Sequence, residues 1–312
     1  MRKLIAAAAA VLLLPSAACS SNRPATGNQA DFPAPWHPTS PLALSPSAAP
    51  SPPEVPATPT AIANRLVECI RSMQSVVVAY SGGVDSAVVA KAAFLALKDD
   101  AVAVTAVSPS LAPAELEEAR QQVRDIGIRH VELNTVEFNK AEYRRNQPDR
   151  CYFCKDTLYS TIEQHRAEFG NAIVLNGTNV DDLGDYRPGL QAAAEYHVRS
   201  PLVDIGLRKI DVRAVADYWN LRTADKPAAP CLSSRIAYGV EVTETRVARI
   251  AEAEAFLKQQ LNCRELRVRE ETNDLARIEL PLPILTTAAQ AEYRTAITSK
   301  LRSLGYRAIT LD

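Results

Sequence analysis

The chain has 312 residues, 47% of them hydrophobic, enough to bury one good core and a second, smaller one. Its 35 basic and 36 acidic residues nearly cancel, so it lacks the strongly basic face of a protein whose main partner is nucleic acid, and a small-molecule substrate is favoured. No apolar run is long enough to cross a bilayer, so no stable membrane association of the folded part is expected.

Met1-Arg2-Lys3, the apolar run 4–14 and Pro15-Ser16-Ala17-Ala18-Cys19 read as a signal-like segment over 1–19. Cys19 hints at a lipoprotein site, although Ser16 stands where a bulky apolar residue is usual. Residues 20–60 are rich in Pro, Ala and Ser without apolar periodicity and read as a disordered, extended linker. Folding is expected to start near Ala61.

Residues 75–80 read as a buried strand and 85–97 as a helix. Between them sits Ser81-Gly82-Gly83-Val84-Asp85-Ser86, a turn suited to a nucleotide's phosphates. Two glycines let the backbone bend tightly and aim its N–H groups at an anion, and the following helix directs its positive end to the same spot. Ser81 and Ser86 add hydroxyl donors, and Asp85 is suited to hold Mg2+ between phosphates. The Gly-Lys-Ser/Thr ending of the lysine-armed phosphate loop is absent, which argues against cleavage at the γ-phosphate.

Further on, 101–107 reads as a strand, 113–126 as a helix, 130–133 as a strand, 149–169 as a long helix, 172–175 as a strand and 210–219 as a helix. This alternation predicts a doubly wound parallel α/β sheet over 61–235, in which ligands lie at the carboxyl ends of the strands. Ser81 and the Asn176-Gly177-Thr178-Asn179 stretch both fall there, which adds Gly177 and Asn179 to the ATP-binding candidates. Beyond Cys231 the rhythm changes to helix 244–261, strands 265–269 and 276–280, helix 288–304 and strand 307–311, a smaller α+β domain over 236–312.

Six cysteines occur. Cys151 and Cys154 stand three residues apart at the start of a helix, a spacing that lets both reach one metal or cluster. Cys231 lies in the proline-stiffened run Lys226-Pro227-Ala228-Ala229-Pro230-Cys231-Leu232-Ser233-Ser234-Arg235, where Arg235 is placed to favour a thiolate. Three thiolates holding a 4Fe–4S iron–sulfur cluster leave one iron open, and an open iron carries sulfide. A zinc site completed by histidine or a reducible pair are the alternatives, and neither His165 nor His197 has a spacing that suggests zinc. Cys69 and Cys263 read as buried small residues.

With these residues in view, the chain resembles the LarE family of the pyrophosphatase-loop superfamily, from about Ala61 to the C-terminus. The likeness rests on Ser81 to Ser86, Arg150-Cys151-Tyr152-Phe153-Cys154-Lys155, Gly177-Thr178-Asn179 with Asp181-Asp182, Asp185-Tyr186-Arg187-Pro188-Gly189, Ser200-Pro201-Leu202, Pro230 to Arg235, and Ala276-Arg277-Ile278-Glu279. The resemblance implies an adenine nucleotide alpha-hydrolase-like fold and an ATP-dependent sulfur transferase of nickel-pincer nucleotide biosynthesis, the route to the lactate racemase cofactor. ATP adenylates a carboxylate of a pyridinium dicarboxylate mononucleotide, and sulfur then replaces AMP to give a thiocarboxylate. In one branch the residue matching Cys231 surrenders its own sulfur and becomes dehydroalanine. In the branch with two further cysteines, here Cys151 and Cys154, an iron–sulfur cluster donates sulfide. A homo-oligomer, trimer or hexamer, is implied as well.

Arg267 and Arg269 alternate along a strand and share a face, a fork for a substrate anion; Arg187 in a loop and Arg235 are further substrate candidates. Arg277 and Glu279 also share a face, where an ion pair competes with substrate contact, and Asp181 and Asp182 either cap a helix or hold Mg2+ or ribose. An exported enzyme would meet little ATP and an oxidising environment, so the expected location is cytoplasmic, with a start near the Ala61 helix, despite the signal-like opening. A tRNA-thiolating relative and an exported, non-catalytic nucleotide-binding lipoprotein are the competing readings.

Overall fold

The computed structural model of the protein describes residues 58–184 and 187–312. The signal-like segment and almost all of the linker lie outside the described residues, as do Asp185 and Tyr186.

The first helix, α1 (Pro59–Arg71), opens with a proline in its first turn and Thr58 as cap, whose hydroxyl accepts from the Ala61 amide at 3.3 Å. Ile62, Leu66 and Ile70 recur every four residues and form its buried stripe. β1 (Val76–Ala79) is buried throughout, because helices cover both faces of the sheet. Alternation sends Val76 and Val78 into a core with α1, α2 (Val84–Leu97), α3 (Pro113–Ile126) and α8 (Lys209–Tyr218). Val77 and Ala79 enter a second core on the other face, with α5 (Arg150–Gln164) and α6 (Pro188–Glu195). α2 has almost no apolar stripe because it is buried nearly all round.

β2 (Ala101–Val107), β3 (Arg129–Asn134) and β4 (Ile173–Leu175) complete a four-stranded parallel sheet of order β3-β2-β1-β4. The chain runs outward from β1 to β3 and then returns to the other side of β1. The strand order therefore reverses between β1 and β4, and the crevice beyond their carboxyl ends is where a doubly wound sheet binds its ligand.

The smaller domain has β5 (Arg267–Glu271) and β6 (Leu275–Glu279) as an antiparallel pair, with β7 (Ala308–Leu311) parallel to β6. Val268, Ala276 and Ile278 face a core shared with α9 (Glu244–Gln260) and α11 (Ala291–Ser303). Glu270 also faces inward, fully buried, with Arg246 and Arg249 neutralising it. A parallel bridge between Ile236 and Glu270 ties the segment that follows the Cys231 run to β5 of the smaller sheet.

Two helices depart from their expected lengths. The helix expected over 149–169 ends at Gln164 and tightens into a 3-10 turn that closes on Gly170 in the left-handed region. The helix expected over 288–304 is α11, which starts only after the extended Gln290, and it is preceded by a further helix, α10 (Leu282–Ala289), which opens with a proline in its first turn in a stretch assigned to no element. The short helices α4 (Ala141–Arg144), α6 and α7 (Pro201–Asp204) were not expected; at this length apolar periodicity carries little signal, and tertiary packing decides.

Candidate active site

The bend after β1 is held by its own serines. The Ser86 hydroxyl donates to the Gly83 carbonyl at 3.0 Å and accepts from the Ser81 amide at 3.2 Å, while Ser81 Oγ lies 3.1 Å from Ser86 Oγ. Gly82 has φ +73°, the left-handed region that L side chains avoid, and a β-carbon on it would stand 3.3 Å from the Ala119 β-carbon of α3. Gly83 leads into α2 in an extended conformation without a side-chain cap, so the first N–H groups of this long helix face the bend uncapped.

The loop after β4 closes on the same place. Gly177 is pressed against the first turn of α2, and Asn179 Nδ2 donates to Asp85 Oδ1 at 3.2 Å. The other Asp85 oxygen is paired with Lys209 at the start of α8. Asp181 accepts from the Lys209 amide and the Arg208 guanidinium, both at 2.8 Å, and these donors hold it below the usual carboxylate range. Asp181 thus caps the first N–H of α8. Asp182 accepts from the Asn179 amide at 3.0 Å and pairs with Arg187 at 2.8 Å, so Arg187 reaches this loop as well.

Cys151 and Cys154 lie in the first turn of α5, and Cys231 stands exposed before a short 3-10 turn, Leu232–Arg235. Cys154 and Phe153 share a hydrophobic cluster with Leu232, Phe138 and Tyr143, so the two ends of the cysteine set meet on one wall. Burial, with Cys231, Glu137 and Cys151 as neighbouring negative charges, pushes the Cys154 thiol up to about 12. Burial works against the charge of Lys155, yet Tyr159 and all three thiols hold its pKa above the ordinary lysine value. Glu137 is 3% exposed, and one of its carboxylate oxygens has no hydrogen-bond partner. Among the described residues, no three His, Cys, Asp or Glu side chains stand close enough to hold a metal ion. Cys69 packs half-buried against the main core and Cys263 is buried in the smaller one.

Arg235 is buried at 7% exposure, and its bonds stay within the protein. Its guanidinium donates to the carbonyls of Pro230 and Cys231 and pairs with buried Glu254 at 3.0 Å, so it sets the backbone around the thiol. Arg267 and Arg269 do share a face and both reach the Cys231 loop: Arg269 donates to the Ser234 carbonyl at 2.9 Å and Arg267 to that of Ala228 at 3.5 Å. Glu279 occupies the fork between them, at 2.9 Å from Arg269 and 3.9 Å from Arg267, and pairs with Arg277 at 3.0 Å. Burial opposes ionisation of Glu279, but Arg269 and Arg277 keep its pKa below the usual range.

Residues 60–162 match the NAD synthase family. An uncharacterized protein of Synechocystis sp. is 45% identical over 235 residues, covering 75% of this chain and 87% of that protein. The pyridinium-3,5-bisthiocarboxylic acid mononucleotide synthase of Lactiplantibacillus plantarum is 36% identical over 249 residues, 79% of this chain and 88% of the synthase. The chain belongs to the LarE family. It is an ATP-dependent enzyme of the pyrophosphatase-loop kind, with the parallel sheet and the separate C-terminal sheet expected for it. Among the described residues no helix is long and apolar enough to cross a membrane.

Sequence reasoning missed three residues of this LarE-family site. Lys209 on Asp85 and Lys226 on the Gly82 carbonyl at 3.4 Å carry no local signal of these partners, Lys226 although it opens the Cys231 run, and the orphaned Glu137 comes from a segment whose local pattern carries no chemistry. Only the return of the chain to the switch point brings the first two there.

Proposed function

We propose that this protein adenylates a ring carboxylate of a pyridinium dicarboxylate mononucleotide and converts it to a thiocarboxylate, with Cys231 at the sulfur-transfer step. The observation that carries the reading is the convergence of the uncapped α2 N-terminus, the Gly177–Asn179 loop and the run leading to Cys231, whose Lys226 bonds to the Gly82 carbonyl.

ATP lays its phosphates in the Ser81–Ser86 bend, where backbone N–H groups and the helix end stabilise their charge. Asp85 would hold Mg2+ in place of Lys209, the ion would neutralise charge on the phosphates, and the Lys209 ammonium would then be free to turn to them. A substrate carboxylate oxygen bonds to the α-phosphorus, the bond to the bridging oxygen breaks, and pyrophosphate leaves. The acyl-adenylate is the better acceptor: its carbonyl carries no negative charge, and AMP is a far better leaving group than oxide. Cys231 sulfur then bonds to the acyl carbon and AMP departs, the reaction gaining from a nucleophile fixed beside its target. Loss of the Cys231 α-proton and cleavage of its Cβ–S bond leave dehydroalanine and a thiocarboxylate. Arg267 and Arg269, held beside the same loop, take the substrate's anionic groups in exchange for Glu279; Arg187, joined to the ATP-side loop through Asp182, faces the nucleotide end.

Three thiols are the donor set an iron–sulfur cluster takes, and Cys151, Cys154 and Cys231 are electrostatic neighbours of one another and of Lys155, although among the described residues they do not stand at ligating distance from a common point. A bound cluster would supply a renewable sulfide. Anaerobic purification with iron analysis and a mass spectrum of Cys231 after turnover separates the two sulfur sources. Loss of one hydrogen sulfide from Cys231 marks the sacrificial route; intact Cys231 over several turnovers marks the cluster. Cys151→Ala and Cys154→Ala should then lose iron and multiple turnover but keep pyrophosphate release, and normal sulfur transfer by both variants removes the cluster from the scheme.

Free thiols and ATP use suit a reducing, cytoplasmic setting, which an intact-mass measurement of the native N-terminus tests; a lipidated Cys19 would contradict it. The trimer or hexamer implied by the family is checked by light scattering.

A further inference from the structure

The segment that carries Cys231 is fastened at both ends and exposed between them. Downstream, the Leu232 amide donates to the Ser110 carbonyl at 2.9 Å, Ser233 joins Ser110 and Tyr143 in a closed ring of hydroxyls, and Arg150 donates to the Ser233 carbonyl at 2.7 Å. Upstream, the side chain of Lys226 is only 11% exposed. Its ammonium donates to Glu115 at 2.7 Å, to Glu118 at 2.9 Å and to the Gly82 carbonyl at 3.4 Å. The Lys226 carbonyl is in turn held by Arg213 of α8 at 3.2 Å. Residues 227–231 between these anchors are exposed and contain two prolines.

An ammonium has three protons to donate, and here each finds an acceptor on a different part of the structure: two turns of α3 and the phosphate bend itself. Most lysines of such a chain are solvated, and a lone exposed ion pair fixes little. This one is desolvated and triply bonded, so it defines a point rather than a direction. The prolines then limit the conformations over which the next five residues carry the thiol from that point.

We propose that Lys226 is a positioning residue that registers the Cys231 segment on the phosphate bend and so sets the reach of the sulfur to the acyl-adenylate. The inference rests on the reading of Cys231 as the sulfur-transfer residue. Without the tether, ATP and carboxylate still meet in the bend, but the thiol is displaced from the acyl carbon. Water then takes its place, returning the carboxylate and AMP, so pyrophosphate is released without thiocarboxylate.

The test compares wild type, Lys226→Met and Lys226→Arg by three measurements: pyrophosphate released, thiocarboxylate formed per pyrophosphate, and hydrogen exchange of the peptide spanning 223–232 with ATP absent. Lys226→Met should lower thiocarboxylate per pyrophosphate by about tenfold or more, whatever it does to the pyrophosphate rate itself, and speed exchange in that peptide alone. Lys226→Arg, which keeps the charge, should recover much of the ratio. A parallel fall in both products at an unchanged ratio, or unchanged exchange, overturns the proposal. If Lys226→Met does not fold, Glu115→Gln with Glu118→Gln, both on the outer side of the tether, should shift ratio and exchange in the same direction. Wild type that releases pyrophosphate but makes no thiocarboxylate defeats the proposed function; the exchange measurement still decides whether Lys226 holds the segment.

Discussion

Gly177 stands so close to Ser86 that a β-carbon on it would lie 2.7 Å from the Ser86 backbone nitrogen and 3.0 Å from the carbonyl carbon of Asp85. The atoms in the way are helix backbone, which cannot swing aside as a side chain would. Gly177→Ala therefore has to push the β4 loop off the nucleotide bend. Overpacking of this kind costs about 1–3 kcal/mol. Thermal unfolding should show that loss, and ATP titration should show weaker binding; a variant equal to wild type in both would mean that the loop does not close on α2.

Lys209 and Asp85 form a partly exposed pair, 40% and 23% exposed, of a kind worth about 0–1 kcal/mol. Lys209→Met should change stability little. It removes the cation that competes for Asp85 and the one that turns to the phosphates. Calorimetry should accordingly find Mg2+ binding without ATP unimpaired, and ATP binding weaker by about tenfold, or ~1.4 kcal/mol. Unaltered ATP affinity would remove Lys209 from the phosphate site.

The side chains of Glu254 and Arg235 are 6% and 8% exposed, and Glu254 Oε1 also accepts from the Val268 amide at 3.1 Å. Removing one partner strands the other in the junction between the two domains. Glu254→Ala should cost about 3–5 kcal/mol in denaturant unfolding, whereas Glu254→Met combined with Arg235→Met should recover part of the loss. A cost below ~1 kcal/mol for Glu254→Ala would show that water reaches the pair.

His130 bonds to Thr105 at 2.9 Å and meets Tyr80 edge-on; burial lowers its pKa below 6.5, with Arg120 and Arg124 acting in the same direction and Glu132, 4.0 Å away, opposing. A depressed folded-state pKa means that the unfolded chain binds the proton first. Stability from this residue is thus fully present above pH 6.5 and declines as pH falls toward the folded value, with a slope of at most about 1.4 kcal/mol per pH unit. Measured against wild type, His130→Asn should flatten that limb of the stability curve; an identical acid limb would show that His130 is solvated.

The strands and the long helices of the nucleotide domain were legible because each carries its own signal. Val76, Val77, Val78 and Ala79 form an uninterrupted apolar run, as a parallel strand covered on both faces must. Ser81 to Ser86 announces a phosphate bend through glycine and hydroxyl chemistry that needs no partner. Where the signal was weak, packing decided: α10 hides behind Leu282-Pro283, and Gln290 breaks a stretch that looks continuous in periodicity.

The sequence by itself determined the family, the parallel α/β architecture, the phosphate bend at Ser81–Ser86 and the three thiols, because local periodicity, turn chemistry and motif spacing are properties of neighbouring residues. The tertiary structure alone decided which charges those groups meet: Lys209 on Asp85, Glu279 in the Arg269 fork, Arg235 turned inward on Glu254, and Lys226 against Gly82. These partners come from helices and loops far apart in the chain. An electrostatic pairing depends on distance and burial in space, neither of which spacing along the sequence records.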